Sequence, residues 1–169
     1  MNHIPVSSIL YPGFPPTLAG HLAEIFQDKF QQHPVKFKAF INSCKLYTAF
    51  FDKGLSRQLK ASKRHAHHFI HLVEQYFDKE HSPAYYATAI HVGNPTLRKI
   101  CQKELQHPPL YWINFRKIWQ ALILLKKTVQ PIKSIAFEVG IHDVSYFSRL
   151  FKNYLGMTPS ALRRIMLSQ

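Results

Sequence analysis

The feature of this sequence that most limits its fold is an internal repeat in the second half of the chain. Residues 87–92 (ATAIHV) align with residues 136–141 (AFEVGI) at an offset of 49, and residues 97–101 align with residues 147–151 at an offset of 50. The one-residue difference falls where a turn can absorb it. A solenoid needs three or more copies to bury a continuous core. Two copies of a helical unit instead predict a pair of helix-turn-helix units.

Each copy contains the residue types that a helix-turn-helix unit needs where its two helices meet. A small residue lets the first helix lie against the second, and an apolar residue closes the turn from beneath. The second helix needs a capping residue at its N-terminus, and an aspartate there also complements the helix dipole. The small residues are Ala87 and Ala136, the turn-closing residues are Val92 and Ile141, and the capping residues are Gly93 and Asp143.

Helical periodicity separates the inward and outward faces of the second helix of each unit. In the second copy, Phe147, Leu150, Phe151 and Tyr154 recur at intervals of three and four, which predicts that they face the core. The remaining face predicts contact with DNA, since arginine and lysine bind phosphates and arginine can bind guanine through two hydrogen bonds. The predicted DNA-binding residues are Asn94, Pro95, Arg98, Lys99 and Gln102 in the first copy, and Val144, Ser145, Ser148, Arg149 and Lys152 in the second.

Residues 109–127, between the two copies, predict a connecting helix. About 18 helical residues extend ~27 Å, and successive major grooves on one face of B-DNA lie ~34 Å apart. The helix is therefore about long enough to hold both units against neighbouring grooves. No acidic residue occurs between Glu104 and Glu138, which favours contact with phosphates. The basic residues of this stretch include Arg116, Lys117, Lys126, Lys127 and Lys133.

The first third of the chain carries two further apolar stripes at helical spacing. One stripe runs over Leu18–Phe30 and the other over Phe37–Phe51. Two short helices leave each other's outer faces exposed, and an exposed apolar face marks an interaction site. The alternatives are a hairpin within the chain and a surface for a homodimer, and we expect a homodimer through residues 17–55.

A polar, basic stretch at Lys60–His68 predicts the boundary between two parts of the chain. We predict a helical N-terminal extension over residues 1–65 and a DNA-binding domain over residues 66–169. The first helix-turn-helix unit is expected at about residues 83–106 and the second at about residues 132–155. No segment has convincing strand periodicity, so the fold class is all-α: two helix-turn-helix subdomains joined by a long connecting helix and preceded by a helical extension.

Composition and motifs argue against several other classes of protein. The formal net charge of +13 suits a polyanion or an anionic membrane surface, yet no stretch of ~20 apolar residues could span a bilayer. We expect no membrane association and a cytoplasmic, nucleoid-associated protein.

The sequence has no P-loop and no nucleophile elbow, so we predict no enzyme. His67 and His71 have the spacing of a metal-binding pair, but no suitable Glu or Cys accompanies them, and we predict no metal and no cofactor.

Several short motifs occur together around the second unit: Ile135-Ala136, Gly140-Ile141, YFSRLFK at 146–152, GMTPS at 156–160, and Arg163. Their combination over residues 135–163 resembles the signature of the AraC/XylS-type regulators, and a looser match extends back to about Phe69. The resemblance implies a seven-helix domain of two lobes that binds an asymmetric site near a promoter and contacts RNA polymerase. Residues 1–65 resemble the helical tail of the sensing domain in such proteins.

The first unit departs from the family pattern at three positions. Pro95 lies early in the predicted recognition helix, Cys101 stands where phenylalanine is usual, and Gln106 replaces the glycine expected after the helix. In the second unit, Ile141 stands where phenylalanine is usual. The Cys101 and Ile141 changes keep the apolar character of the site.

These observations predict a sequence-specific transcription regulator, and more specifically an activator. Its partners would be double-stranded promoter DNA and, as the resemblance implies, RNA polymerase. The alternative is a helical protein–protein interaction module that uses its basic surface for an acidic partner. Competition between promoter DNA and random DNA distinguishes the two, because only the regulator prefers a defined sequence.

Overall fold

The computed structural model describes residues 34–52 and 60–167, and these residues form eight α-helices and no β-strand. The prediction of an all-α fold is confirmed. None of the described helices is long and apolar enough to cross a membrane. The helices are α1 (Pro34–Asp52), α2 (Ala61–Tyr76), α3 (Pro83–Ala89), α4 (Asn94–Leu105), α5 (Pro109–Lys127), α6 (Ile132–Glu138), α7 (Val144–Leu155) and α8 (Pro159–Leu167).

The long helix α5 lies at the centre of the fold and joins two lobes. Helices α2, α3 and α4 form the first lobe, and α6, α7 and α8 form the second, with helices of both lobes packed on α5. Thirteen of its residues are buried, including Trp112 and Phe115, which are fully covered. Burying an aromatic side chain of this size stabilises the fold by about 1.5–3 kcal/mol. The connecting helix is thus a core element as well as a spacer.

Helix α1 packs against α2 of the first lobe and α7 of the second. The Phe40 ring lies 5.1 Å from the Phe115 ring on α5, centroid to centroid. The Ser43 hydroxyl is 2.7 Å from the hydroxyl of Tyr111, also on α5. Because α1 contacts both lobes and the helix between them, it belongs to the same core as the two helix-turn-helix units.

Of the two apolar stripes at the start of the chain, the second is used within the chain, where Phe40, Cys44 and Tyr47 are buried. The stripe over Leu18–Phe30 lies outside the described residues. A homodimer through residues 17–55 therefore stays a prediction. Any part that α1 plays in a dimer would come from its opposite face, where side chains are exposed.

Within the polar stretch Lys60–His68, Lys60 is the N-cap of α2 and the other residues form its first two turns, so this helix runs through the expected boundary between residues 65 and 66. Ala66 and His67 are buried while Lys63 and His68 are exposed. The stretch is amphipathic, with its few buried residues on one side and its basic residues on the other. Its composition resembles a linker although its geometry is that of a packed helix.

Candidate nucleic-acid interface

The second helix-turn-helix unit consists of α6, a short turn and α7. The amide of Ile141 donates a hydrogen bond of 2.8 Å to the Ala136 carbonyl and closes the turn. Gly140 precedes it with a φ of 74°, in the left-handed region that favours glycine. Asp143 caps α7 as predicted, because its carboxylate accepts hydrogen bonds of 2.8 and 3.0 Å from two amides of the first turn. The turn and the cap fix the direction in which α7 leaves the unit.

The first unit repeats this geometry with different residues. The amide of Val92 donates a hydrogen bond of 2.9 Å to the Ala87 carbonyl. His91 has a φ of 57° at the position that Gly140 occupies in the second unit. Gly93 is the N-cap of α4, as predicted, and its extended backbone starts the helix without a side-chain cap. Both units therefore hold their second helix on the same kind of turn.

The departures at Pro95 and Gln106 leave the length of the first recognition helix unchanged, since α4 and α7 each contain 12 residues. Pro95 lies in the first turn of α4, where a missing amide breaks no hydrogen bond within the helix. Gln106 ends α4 with a φ of 66°, as Gly156 ends α7 with a φ of 86°. A non-glycine residue in this conformation costs roughly 1–2 kcal/mol. Gln106 thus adopts, at this cost, a conformation that glycine would adopt without it.

Replacing Gln106 with glycine is therefore expected to raise the free energy of unfolding by about 1 kcal/mol. Urea unfolding of the purified chain measures this change. A matched Lys103→Gly variant, inside α4, should lose about 1 kcal/mol because glycine is a poor helix former. A Gln106→Gly variant that is no more stable than the unmodified chain would contradict a left-handed cap at this position.

The predicted DNA-binding residues lie on the outer faces of α4 and α7. All five of the residues predicted on α4 are exposed. On α7, Ser145, Arg149 and Lys152 are exposed, while Val144 and Ser148 are half-buried at the edge of the same face. The structure thus brings each predicted set together on one helix surface, and the DNA contacts themselves stay a prediction.

Two exposed residues on these helices, Thr96 and Tyr146, fall outside the predicted set. Each is the third residue of its helix, and the repeat aligns them at an offset of 50. Tyr146 is 41% exposed, and a tyrosine in this position can donate a hydrogen bond to a phosphate. The alignment of the two copies was the signal that could have identified both residues.

Arg116 and Lys117 were expected to contribute to a phosphate-facing surface, and for these two residues the prediction is wrong. Their side chains lie in the core, and the residues are only 5% and 2% exposed. Other helices cover α5 on most of its sides, so the basic residues in the sequence of α5 do not indicate a basic surface on the folded protein. Lys126, Lys127 and Lys133 are exposed at the end of α5 and on α6.

Arg116 instead forms a bidentate ion pair with Glu74 of α2. Its Nε lies 2.6 Å from Oε2 and its Nη2 lies 2.7 Å from Oε1. The Tyr47 hydroxyl donates a hydrogen bond of 3.0 Å to the same carboxylate. Burial raises the pKa of Tyr47 well above its usual range, so the hydroxyl remains a donor at neutral pH. The network links α1, α2 and α5.

His67, Cys44 and Cys101 are buried, and their side chains serve packing. The His67 ring is buried and stacks on His71 at 4.3 Å between centroids. Within residues 34–52 and 60–167, no group of three or more His, Cys, Asp and Glu side chains could hold a metal ion. Cys44 and Cys101 are buried. Burial raises the pKa of Cys101 to about 12, so its thiol is protonated and unreactive at neutral pH.

Residues 86–165 match a family model described as a helix-turn-helix domain. This range begins within α3 and ends within α8, so it contains α4, α7 and the connecting helix α5. The helix-turn-helix assignment therefore has support from sequence comparison as well as from the geometry of the two turns.

Known regulators are similar in sequence to this chain. The arabinose operon regulatory protein of Salmonella typhimurium is 31% identical over 117 residues, which cover 68% of this chain and 40% of that protein. The HTH-type transcriptional activator RhaS of Mannheimia succiniciproducens is 32% identical over 94 residues, which cover 56% of this chain and 35% of that protein. The chain thus spans about two fifths of the length of these two relatives.

A solved structure shows the same arrangement of helices. The C-terminal domain of AraT, a response regulator from Geobacillus stearothermophilus, aligns with a TM-score of 0.55 and 25% sequence identity. The alignment covers 64% of this chain and 88% of that domain. Most of that domain is therefore represented here, and the relatives are regulators rather than enzymes.

Proposed function

This chain belongs to the AraC/XylS-type transcription regulators through its double helix-turn-helix domain, and we propose that it is a sequence-specific activator. In this proposal α4 and α7 enter adjacent major grooves of promoter DNA, and their outer faces read the bases. The observation that carries the proposal is the pair of 12-residue helices held on equivalent turns, one in each lobe.

The charge of the outer faces supports DNA as the partner. Arg98 and Lys99 on α4, and Arg149 and Lys152 on α7, are exposed, and the predicted DNA-facing sets contain no carboxylate. The nearby Asp143 carboxylate is engaged in capping α7. Exposed cations without neighbouring acids can replace the counterions of phosphates, and this release contributes much of the affinity of proteins for DNA.

Activation, rather than repression, is proposed from the relatives and from the resemblance. RhaS is named as a transcriptional activator, and the resemblance implies contact with RNA polymerase at the promoter. The place of action would be the cytoplasm, at the nucleoid, where promoter DNA is found. Transcription in vitro from a promoter that carries the bound sequence, with and without the chain, distinguishes activation from repression.

Arg149 is proposed to make the strongest single base contact, since it is exposed on α7 and its guanidinium can bind guanine through two hydrogen bonds. The Arg149→Ala variant should bind its selected sequence about 5- to 150-fold more weakly, which corresponds to ~1–3 kcal/mol, without a change in folding. The sequence is first selected from a random duplex library, and fluorescence anisotropy then gives both affinities.

The matched control is Lys45→Ala, which removes one exposed positive charge from α1, outside the two recognition helices. It tests whether loss of net charge alone weakens binding, and we expect a change of about twofold or less because an exposed charge outside the two predicted DNA-facing sets is screened by salt. Unchanged affinity of Arg149→Ala for the selected sequence would remove Arg149 from the reading face.

A further inference from the structure

The two lobes touch directly on one side of α5. The loop after α2 belongs to the first lobe, and the turn before α7 belongs to the second. A Cβ atom placed on Gly140 in that turn would lie 2.0 Å from the carbonyl oxygen of Asp78 in the loop. The backbones of the two lobes are therefore in contact at this point, and a side chain at Gly140 would push them apart.

Lys117 lies at this junction, on the helix that joins the lobes. It is only 2% exposed. Its Nζ lies 2.5 Å from Nδ1 of His81, in the loop of the first lobe. The same Nζ donates a hydrogen bond of 3.3 Å to the carbonyl of Gly140, in the turn of the second lobe. One ammonium group thus binds both lobes at once.

The partners of Lys117 are unusual for a buried cation. Both are neutral acceptors, a histidine ring nitrogen and a backbone carbonyl, while the Asp78 carboxylate acts only through its field. Burial lowers the pKa of Lys117 to about 8. A buried ammonium without a hydrogen-bonded carboxylate adds little stability. The role of Lys117 is therefore better explained by the position that it gives to the two backbones than by a contribution to folding stability.

The position of the Gly140 turn decides where α7 begins. Only Ile141, His142 and Asp143 separate Gly140 from Val144, the first residue of the helix. The turn is closed by its own hydrogen bond and Asp143 caps the helix, so the turn and the start of α7 move together. A group that holds the Gly140 carbonyl against the first lobe therefore holds the recognition helix of the second lobe.

We propose that Lys117 is a positioning residue that fixes the second recognition helix relative to the first lobe, and so sets the spacing between the two DNA elements that the chain accepts. This inference rests on the proposed function, in which α4 and α7 bind the same duplex. One added base pair displaces an element by about 3.4 Å and rotates it by about 35°. A rigid junction cannot follow that change, whereas a loosened junction can.

The test compares the full chain with its Lys117→Met variant on a set of duplexes. The set contains the selected sequence and two versions with one base pair inserted or deleted between the elements bound by α4 and α7. We expect the unmodified chain to bind the altered duplexes about 30-fold more weakly, a loss comparable to that of one or more mismatched contacts. For Lys117→Met we expect a loss of about threefold or less, because a flexible junction accommodates either spacing.

The matched control is Lys126→Met, which removes an exposed charge from the same helix. It should weaken binding to all three duplexes equally and keep the spacing preference. A second variant, His81→Ala, removes one of the two acceptors while leaving Lys117 in place, and it should relax the preference as well. If circular dichroism shows that Lys117→Met does not fold, the affinities of His81→Ala for the three duplexes test the proposal instead.

A purely structural role for Lys117 would change the melting temperature but leave the ratio of affinities among the three duplexes unaltered. The proposal is therefore overturned if the folded Lys117→Met variant, or His81→Ala in its place, discriminates spacing as strongly as the unmodified chain. Failure of the proposed function looks different: the unmodified chain would then bind the selected sequence no better than random DNA, and the inference would fall with it.

Discussion

Replacing Glu74 with alanine is expected to lower the free energy of unfolding by about 3–5 kcal/mol, since it leaves the buried Arg116 guanidinium without its carboxylate. Arg116 is 5% exposed and binds both oxygens of Glu74. The same substitution removes the acceptor of the Tyr47 hydroxyl on α1. Because three helices share this carboxylate, the loss should appear as one lowered unfolding transition in urea rather than as local fraying.

Two companion variants test whether the loss of stability comes from the ion pair between Glu74 and Arg116. Glu138→Ala removes an exposed glutamate at the end of α6 and should change stability by about 0.5 kcal/mol or less. The double variant Glu74→Leu with Arg116→Met replaces the pair by apolar side chains and should recover most of the loss, because no unpaired charge remains. A loss below about 1 kcal/mol for Glu74→Ala would match an exposed ion pair and would contradict a buried network.

The second large effect is expected at the junction between the lobes. The Gly140→Ala substitution should destabilise the chain by about 2–4 kcal/mol, the sum of a left-handed backbone and a forced displacement of packed groups. The new Cβ would meet the Asp78 carbonyl oxygen at 2.0 Å, and backbone atoms cannot move aside as a flexible side chain does. Thermal and urea unfolding of the variant measure the loss.

Comparison of Gly140 with His91 and Gly93 identifies the cause of the expected destabilisation. In the first unit His91 adopts a φ of 57° at the equivalent place, so the left-handed backbone alone is tolerated there. At Gly93, whose φ is −76°, an added Cβ would come no closer than 3.7 Å to Pro95, and Gly93→Ala should cost less than about 1 kcal/mol. If Gly140→Ala were as mild as Gly93→Ala, the close contact between the lobes would be disproved.

The parts of the fold that follow local rules could be predicted from the sequence. The repeat gave the two units, because each copy needs the same small residue, turn-closing residue and cap. Asp143 caps α7 because a carboxylate in that position satisfies free amides, whatever the rest of the chain does. The outer faces of α4 and α7 followed from helical periodicity, since one side of each helix has to pack on the core.

The parts that depend on which helices meet could not be predicted in this way. Arg116 and Lys117 are charged and lie in a basic segment, so composition placed them at the surface, but their partners Glu74, His81 and Gly140 are distant in sequence. At Gln106 only the resemblance, which places a glycine there, pointed to a left-handed backbone, because glutamine itself has no preference for that conformation. Long-range partners decide the burial of a polar side chain, and a single sequence does not display them.

Competition between DNA sequences at increasing salt tests the central claim most directly. A labelled duplex with the selected sequence is bound by the full chain at about 50–200 mM salt and challenged with unlabelled selected or random duplex. The proposal predicts that affinity falls steeply with salt, and that about 10³-fold more random than selected duplex is needed to displace the label at physiological salt. Equal displacement by the two competitors would show that the basic surface carries no sequence preference. That result would contradict sequence-specific regulation and favour a module that binds an acidic partner.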